Sequence, residues 1–349
     1  MRTVSRAGRG QVAASRGGVS RGAATLGVAA PRGGLSRGAA TLGAAALGVA
    51  AWSTLVEPRL FTLRRHTLPV LPEGSSPLRV LQLSDLHLAP WQHRKIDWVR
   101  SLVELRPDLV VLTGDLMGHR FARGPLLHTL RAFTDAGVAG VFVHGSNDYY
   151  SPIAKNPFVY LSAPSSTGKR TPDLDNAALT RGMTELGLID LNNRAARLNL
   201  RGTELEFLGL NDPHIGYDDA AALDASIAEI SADAVASRTA ASGGAAATPV
   251  RLGVVHAPYQ HALGQLLDRN VAAIFAGHTH GGQVRVPGLG ALTSNCDLPV
   301  AQARGLSVWY DAEHAAFLNV SAGLGASVFA PIRFACRPEA SLITLEAER

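Results

Sequence analysis

The chain has 349 residues, of which 46% are hydrophobic, so it can bury a large core without disulfides or a structural metal. Its two cysteines, Cys296 and Cys336, form no C-x-x-C motif, which excludes a metal site built from clustered thiolates. The net charge of +5 arises from seven arginines, with no acid, among the first 37 residues. The remainder is close to neutral, so the charge predicts a basic leader and no specific nucleic-acid partner.

An uncharged run rich in alanine and glycine follows the arginines at 38–56. Its length suits a helix that crosses a bilayer, although the lack of isoleucine makes insertion only marginally favourable. We expect a basic low-complexity tail at 1–37, an uncleaved signal anchor at 38–56 and a linker at 57–77. The alternative is a tail that never inserts. The arginine excess predicts a cytoplasmic N-terminal side and a membrane-anchored catalytic part that is extracytoplasmic.

A single domain is predicted from residue 78 to the end of the chain, and its first part alternates strand and helix. The apolar runs and helical periodicity predict strands at 78–84, 108–113 and 138–143, with helices at 93–105 and 125–136. This rhythm is typical of a parallel sheet covered by helices.

The second part of the domain mixes strands, helices and turns. The pattern predicts a helix at 176–186, a hairpin at 196–210, a helix at 218–230, a flexible insert at 232–248, and a strand followed by a helix at 250–276. Short strands and glycine turns follow. The whole pattern favours two β-sheets packed together and flanked by helices.

Side chains that can bind metals follow five apolar runs, each at the point where a strand is predicted to end. They are Asp85, His87, Asp115, Asn147, His256, His278 and His280. The carboxyl ends of strands in an α/β sheet face one crevice, so we expect these side chains to meet there. Their mixture of nitrogen and oxygen donors suits divalent transition metals, and their number exceeds what one tetrahedral ion needs. The sequence therefore predicts a hydrolytic centre with two metal ions.

Taken together and in order, these motifs resemble the signature of the calcineurin-like metallophosphoesterases over residues 78–346. The bacterial YkuE-type branch is the most similar, because of Asn211-Asp212-Pro213-His214 and the run GHTHGGQVRVPG. The resemblance implies a four-layer αββα sandwich of two mixed β-sheets flanked by helices. It also implies hydrolysis of phosphate mono- or diesters by a water or hydroxide that bridges two divalent ions, either Mn, Fe or Zn.

The resemblance also implies which residue binds which ion. Asp85, His87, Asp115 and His280 would hold the first, whereas Asp115 as a bridge, Asn147, His256 and His278 would hold the second. A phosphate-ester substrate, a membrane contact through the N-terminal segment and a monomeric state complete the expectation.

One turn departs from the family pattern. The usual Gly-Asn-His-Asp/Glu is replaced here by Gly145-Ser146-Asn147-Asp148, so the histidine that assists the leaving group is missing. Asp148 or His214 is predicted to take over as the catalytic acid. His144 is a poor candidate, because strand alternation turns it away.

Two further alternatives stay open at the level of sequence. The missing histidine allows a catalytically decayed protein of the same fold that binds or scaffolds at the membrane, whereas a nuclease is disfavoured by the near-neutral domain. In an oxidising space Cys296 and Cys336 could form a disulfide worth about 3–4 kcal/mol, or they could remain two free thiols.

Overall fold

The computed structural model describes residues 34–154, 170–240 and 248–348. The chain divides into two compact units, Met1–Leu47 and Gly48–Arg349. In the first unit the described part belongs to helix α1, Gly34–Ala51. Helical structure continues beyond it, and the stretch Gly38–Arg59 is long and apolar enough to cross a membrane, with a mean hydropathy of 1.6. Most of the basic tail predicted at 1–37 lies outside the described residues.

The first of two six-stranded sheets is mixed, with the strand order β1-β14-β2-β3-β4-β5. Its strands are β1 (Thr62–Leu71), β2 (Leu78–Leu83), β3 (Leu109–Thr113), β4 (Ala139–Val143), β5 (Ile189–Asp190) and β14 (Glu339–Ala347). Strand β14 lies between β1 and β2, parallel to the former and antiparallel to the latter. Strands β2 to β5 are parallel, so the loops after them leave from one edge.

The second sheet is also mixed, with the order β12-β13-β9-β8-β7-β6. Its strands are β6 (Arg194–Leu200), β7 (Thr203–Gly209), β8 (Val250–Val254), β9 (Ala273–Ala276), β12 (Gly305–Tyr310) and β13 (Ala315–Val320). The predicted hairpin forms as β6 and β7 and turns at Arg201-Gly202. A small hairpin of β10 (Arg285–Val286) and β11 (Gly290–Ala291) stands apart from both sheets.

Helices cover the outer faces of the two sheets. The helices after α1 are α2 (His93–Ser101), α3 (Arg123–Thr134), α4 (Asn176–Glu185), α5 (Ala220–Ala240) and α6 (Gln260–Leu267). Apolar side chains of α2, α3 and α4 share one core with sheet one, and those of α5 and α6 share another with sheet two. A third core, which includes Val111 and Phe275, lies between the sheets. The expected four-layer αββα sandwich is confirmed.

Two segments differ from the sequence expectation. Strand β1 lies within the supposed linker at 57–77. The sequence pattern did not reveal this strand, because exposed charges and Pro69 interrupt its alternation, and both are tolerated on an edge strand. Helix α5 extends to Ala240, into the stretch predicted as a flexible insert, because alanine has the highest helix propensity. Residues 241–247 of that insert lie outside the described residues.

The segment that follows α1 is hydrogen-bonded to the loop around Arg333 and Cys336 within the second unit. The backbone N–H of Arg333 donates to the Ser53 carbonyl at 2.9 Å. The carboxylate of Glu57, only 3% exposed, accepts from the Cys336 N–H and from the Trp52 indole. The last residues of the predicted anchor are therefore part of the folded domain.

Candidate metal centre

The loops that carry the predicted ligands are joined by hydrogen bonds at the carboxyl ends of the strands. The N–H of Asp85 donates to the Gly114 carbonyl, and that of His87 to the Asp115 carbonyl, both at 3.0 Å. The N–H of His278 donates to both oxygens of Asp85, at 3.1 and 3.2 Å, and so connects the two sheets. Ligands that are far apart in sequence thus converge on one point.

The carboxylate of Asp115 lies at the centre of this cluster. Its Oδ2 is 3.4 Å from His87 Nε2, and its Oδ1 is 3.5 Å from His256 Nε2. The backbone N–H and the Nδ2 of Asn147 each donate to it at 2.7 Å. Asp115 therefore stands between side chains from three other loops.

Potential ligand atoms fall into two overlapping groups, each with all its atoms within 4.8 Å of one another. One group is Asp85, His87 and His280, and the other is Asp85, Asp115 and His256. His278 belongs to neither group, and its Nε2 lies 3.1 Å from the Asn295 carbonyl oxygen. Its ring still packs against His256, with centroids 5.2 Å apart.

Burial keeps the imidazoles neutral and disfavours ionised carboxyl groups. Desolvation lowers the pKa of His87, His256 and His278 to about 4, so each can offer a lone pair at neutral pH. Burial and the neighbouring Asp115 raise the pKa of Asp85, and burial also raises that of Asp115. His256 Nε2 is buried and has no hydrogen-bond partner among the residues that the structure describes. Two adjacent buried carboxyls beside neutral imidazoles fit divalent cations.

Five of the predicted ligands have a left-handed backbone. Asp85, His87, Asp115, His278 and His280 have φ angles of 46°, 39°, 51°, 67° and 50°. This conformation costs residues other than glycine about 1–2 kcal/mol each. Such strain concentrates at functional sites, and here it turns the chain sharply at the strand ends so that successive ligands face the same point.

A family model described as calcineurin-like phosphoesterase matches residues 78–282, which is more than half of the chain. The chain belongs to the calcineurin-like phosphoesterase family. It is 24% identical over 313 residues to the uncharacterised metallophosphoesterase YkuE of Bacillus subtilis, covering 86% of this chain and 91% of that protein.

Two other relatives of this phosphoesterase differ in how much of their own length the match covers. The phosphodiesterase YaeI of Escherichia coli is 24% identical over 300 residues, which cover 83% of this chain and 90% of YaeI. A transmembrane protein with a metallophosphoesterase domain from Danio rerio is 27% identical over 218 residues, 61% of this chain but only 43% of that protein.

Asp148, one of the two predicted acids of the phosphoesterase, anchors a loop. Its Oδ1 accepts from the N–H groups of Leu116 and Met117, both at 2.9 Å, and its Oδ2 accepts from that of Gly145 at 3.0 Å. Burial alone would raise the pKa of Asp148, but His144 and these amide donors hold it below its usual value. An ionised, fully buried carboxylate that is absent from the pocket wall is poorly placed to donate a proton to substrate.

His214, the other predicted acid, does line the pocket. Its Nδ1 is 3.0 Å from the Tyr259 hydroxyl, and its ring centroid is 4.4 Å from that of His278. The backbone N–H of His214 donates to Oδ1 of Asp212, a fully buried residue that the sequence interpretation gave no role. The position of Asp212 in the Asn-Asp-Pro-His motif is the sequence signal from which its contact with His214 could have been found.

The candidate metal centre forms the floor of a cavity of about 190 Å³. The polar part of the wall includes His87, Asp115, Asn147, His214, His278 and His280. Towards the mouth the wall is partly apolar, with Ile153, Val284 and Leu292 all exposed. The cavity can therefore receive a phosphate group at its floor and a less polar substituent at its mouth.

The two cysteines do not form a disulfide; both are free thiols. Cys336 is fully buried, and its Sγ lies 3.2 Å from the backbone carbonyl of His280. Burial raises the pKa of Cys296 to about 11, so that thiol is protonated at neutral pH. Cys336 therefore supports the turn that carries His280.

Proposed function

We propose that this protein is a dinuclear metal-dependent phosphoesterase that hydrolyses phosphate mono- or diesters. The observation that carries the proposal is the pair of overlapping groups of potential ligands around Asp85 and Asp115, at the floor of an open cavity. We take Asp115 as the shared ligand, because it lies next to His87, His256 and Asn147. Membership of the calcineurin-like phosphoesterase family supports hydrolysis of phosphate esters.

We assign Asp85, His87, Asp115 and His280 to one ion, and Asp115, Asn147, His256 and His278 to the other. Two divalent ions there would supply Lewis acidity, a water acidic enough to act near neutral pH, and charge compensation for the phosphate. The donor set suits Mn, Fe or Zn.

The remaining steps belong to side chains of the protein. Asn147 donates two hydrogen bonds to Asp115 and fixes the orientation of that carboxylate. We assign protonation of the leaving group to His214, because it lines the cavity and is oriented by Tyr259. Asp148 would hold the loop beneath Asn147.

Metal analysis together with turnover of p-nitrophenyl phosphate and bis-p-nitrophenyl phosphate tests the proposal. The expected result is two metal equivalents per chain and hydrolysis that stops after chelation and returns with Mn, Fe or Zn. Two bound metals without turnover of any mono- or diester would favour the decayed binding protein. One equivalent at full activity would contradict the dinuclear assignment.

We also propose that the apolar helix anchors the chain with its arginine-rich side in the cytoplasm and the catalytic unit outside. The length and hydropathy of Gly38–Arg59 and the existence of a transmembrane relative support this proposal. Protease added to intact spheroplasts should degrade the catalytic unit of the full-length chain. Complete protection in intact cells, with degradation after lysis, would contradict this orientation.

A further inference from the structure

A second cavity, of about 430 Å³, lies behind the loop that carries Asp85 and His87. The two cavities are separated by that loop, since Lys95 in the wall of the second donates to the Leu86 carbonyl at 2.7 Å. Five residues that are cationic or can become so line it, and none of the described residues in its wall is acidic: Arg59, His93, Arg94, Lys95 and Arg333. The charge around this space is therefore entirely of one sign.

Two of these cations are buried without a carboxylate partner. Lys95 is 6% exposed and Arg333 is fully buried, yet neither forms an ion pair with the part of the chain that the structure describes. Arg333 instead donates to backbone carbonyls, including those of Cys336 and Ala322. Burial, followed by the charge of Arg333, lowers the pKa of Lys95 to about 7. Backbone carbonyls compensate these two buried cations only in part, and a bound anion would add to that compensation.

The N-terminus of helix α2 opens into the same cavity. Residues Gln92 to Lys95, which form its first turn, all line the wall. The helix has no side-chain cap and no acidic residue in that turn. Unpaired N–H groups and the positive end of the helix dipole make such a terminus a site for phosphate. Two independent features of the cavity, buried cations and a helix N-terminus, thus select an anion.

The position of the cavity identifies the source of the anion. Thr54, Pro58 and Arg59 in its wall belong to the end of the apolar stretch Gly38–Arg59. Trp91, also in the wall, is 59% exposed. An arginine at the end of an apolar helix and an exposed tryptophan beside it are typical of the headgroup level of a bilayer. We propose that this cavity binds the phosphate group of an anionic membrane lipid.

The test uses the full-length protein in dodecyl maltoside after chelation of metals, so that binding at the metal centre does not contribute. Thermal unfolding is followed while dioleoylphosphatidylglycerol, dioleoylphosphatidylcholine or inorganic phosphate is added. We expect a saturable rise in Tm with phosphatidylglycerol alone. Native mass spectrometry should show one retained phosphatidylglycerol per chain. Equal stabilisation by inorganic phosphate would overturn the lipid source, and equal stabilisation by phosphatidylcholine would overturn the requirement for an anion.

Variants connect the binding to this cavity. Arg94→Gln removes an exposed cation and Lys95→Met a buried one, and each should weaken phosphatidylglycerol binding about tenfold or more. Arg131→Gln, which removes an exposed arginine from helix α3, should bind the lipid as the wild type does. Because Arg94 is exposed, its variant should remain folded even if Lys95→Met does not. An unchanged affinity in Arg94→Gln would overturn the assignment of the cavity.

Discussion

The two cavities on either side of the loop 85–87 bury opposite charges. The metal centre gathers carboxyl groups and neutral imidazoles, whereas the second cavity gathers Lys95 and Arg333 without a carboxylate partner. Each set is costly in isolation, because a buried charge loses its hydration. The comparison teaches that the uncompensated charge of a cavity indicates a ligand of the opposite sign. The carboxyl groups of the first cavity indicate a cation, and the buried cations of the second indicate an anion.

The cavities also differ in how the backbone contributes. In the candidate metal centre five of the proposed ligands have the left-handed conformation, so this site is built from strained turns at strand ends. The second cavity uses the regular N-terminus of α2, whose N–H groups require no unusual dihedral angles. Metal coordination requires ligand atoms in defined directions, whereas the positive end of a helix dipole attracts a phosphate without such alignment.

The largest effect is expected from Asp115→Asn. This substitution should reduce turnover by about a thousandfold or more and reduce metal content, because it removes the carboxylate between His87 and His256. The metal-free protein should become more stable, since a buried negative charge beside Asp85 disappears. Elemental analysis and thermal unfolding in chelator check both parts. Asp97→Asn, at an exposed position of α2, is the control, and unchanged metal content in Asp115→Asn would refute the ligand role.

His214→Ala should lower kcat by about 10²-fold or more while metal content stays unchanged, as expected for the loss of a general acid. The loss should be greater for a phosphate ester with a poor leaving group, such as a phenyl ester, than for the p-nitrophenyl ester. Steady-state kinetics with both esters measures the difference. The same loss with both leaving groups would show that His214 positions the substrate without donating a proton.

Asp148→Asn should act mainly on stability. The carboxylate accepts three backbone N–H bonds, so its loss should cost about 2–3 kcal/mol of the free energy of unfolding. Because the pKa of Asp148 is lowered on folding, its stabilisation is present above the unfolded pKa and is lost as the pH falls through the folded pKa. Denaturation in urea at neutral and acidic pH measures both effects. A variant as stable as the wild type at neutral pH would contradict the anchoring role.

Lys95→Met should change how stability depends on pH. Folded Lys95 loses its proton near pH 7, whereas the unfolded side chain keeps it to about pH 10.4. The unfolded state therefore binds more protons across this interval, and wild-type stability should rise with pH. The variant should lose that part of the slope, and bound phosphatidylglycerol should reduce the slope in the wild type. Urea denaturation from pH 7 to about 9 measures how the free energy of unfolding changes with pH. The same slope in both proteins would disprove this account.

The convergence of Asp85, His87, Asp115, His256 and His280 was predictable because each follows an apolar run, and the carboxyl ends of such strands meet. The role of Asp148 was not, because it depends on the N–H groups of Leu116 and Met117 in another loop. The cationic cavity could not be predicted from the sequence either. Lys95 and Arg333 are far apart in the chain, and only the structure shows that both are buried. Strand β1 was missed because an edge strand tolerates charges that obscure its alternation.

The position of β14 has a consequence for when the protein can fold. This strand separates β1 from β2, so the two earliest strands of sheet one have no contact in the sheet until residues Glu339–Ala347 arrive. During synthesis β1 therefore waits, unpaired, for a strand made more than 260 residues later. Sheet one can therefore be completed only after nearly the whole chain has been made. The delay suits a protein whose first helix is apolar enough to enter a membrane before the catalytic unit is complete.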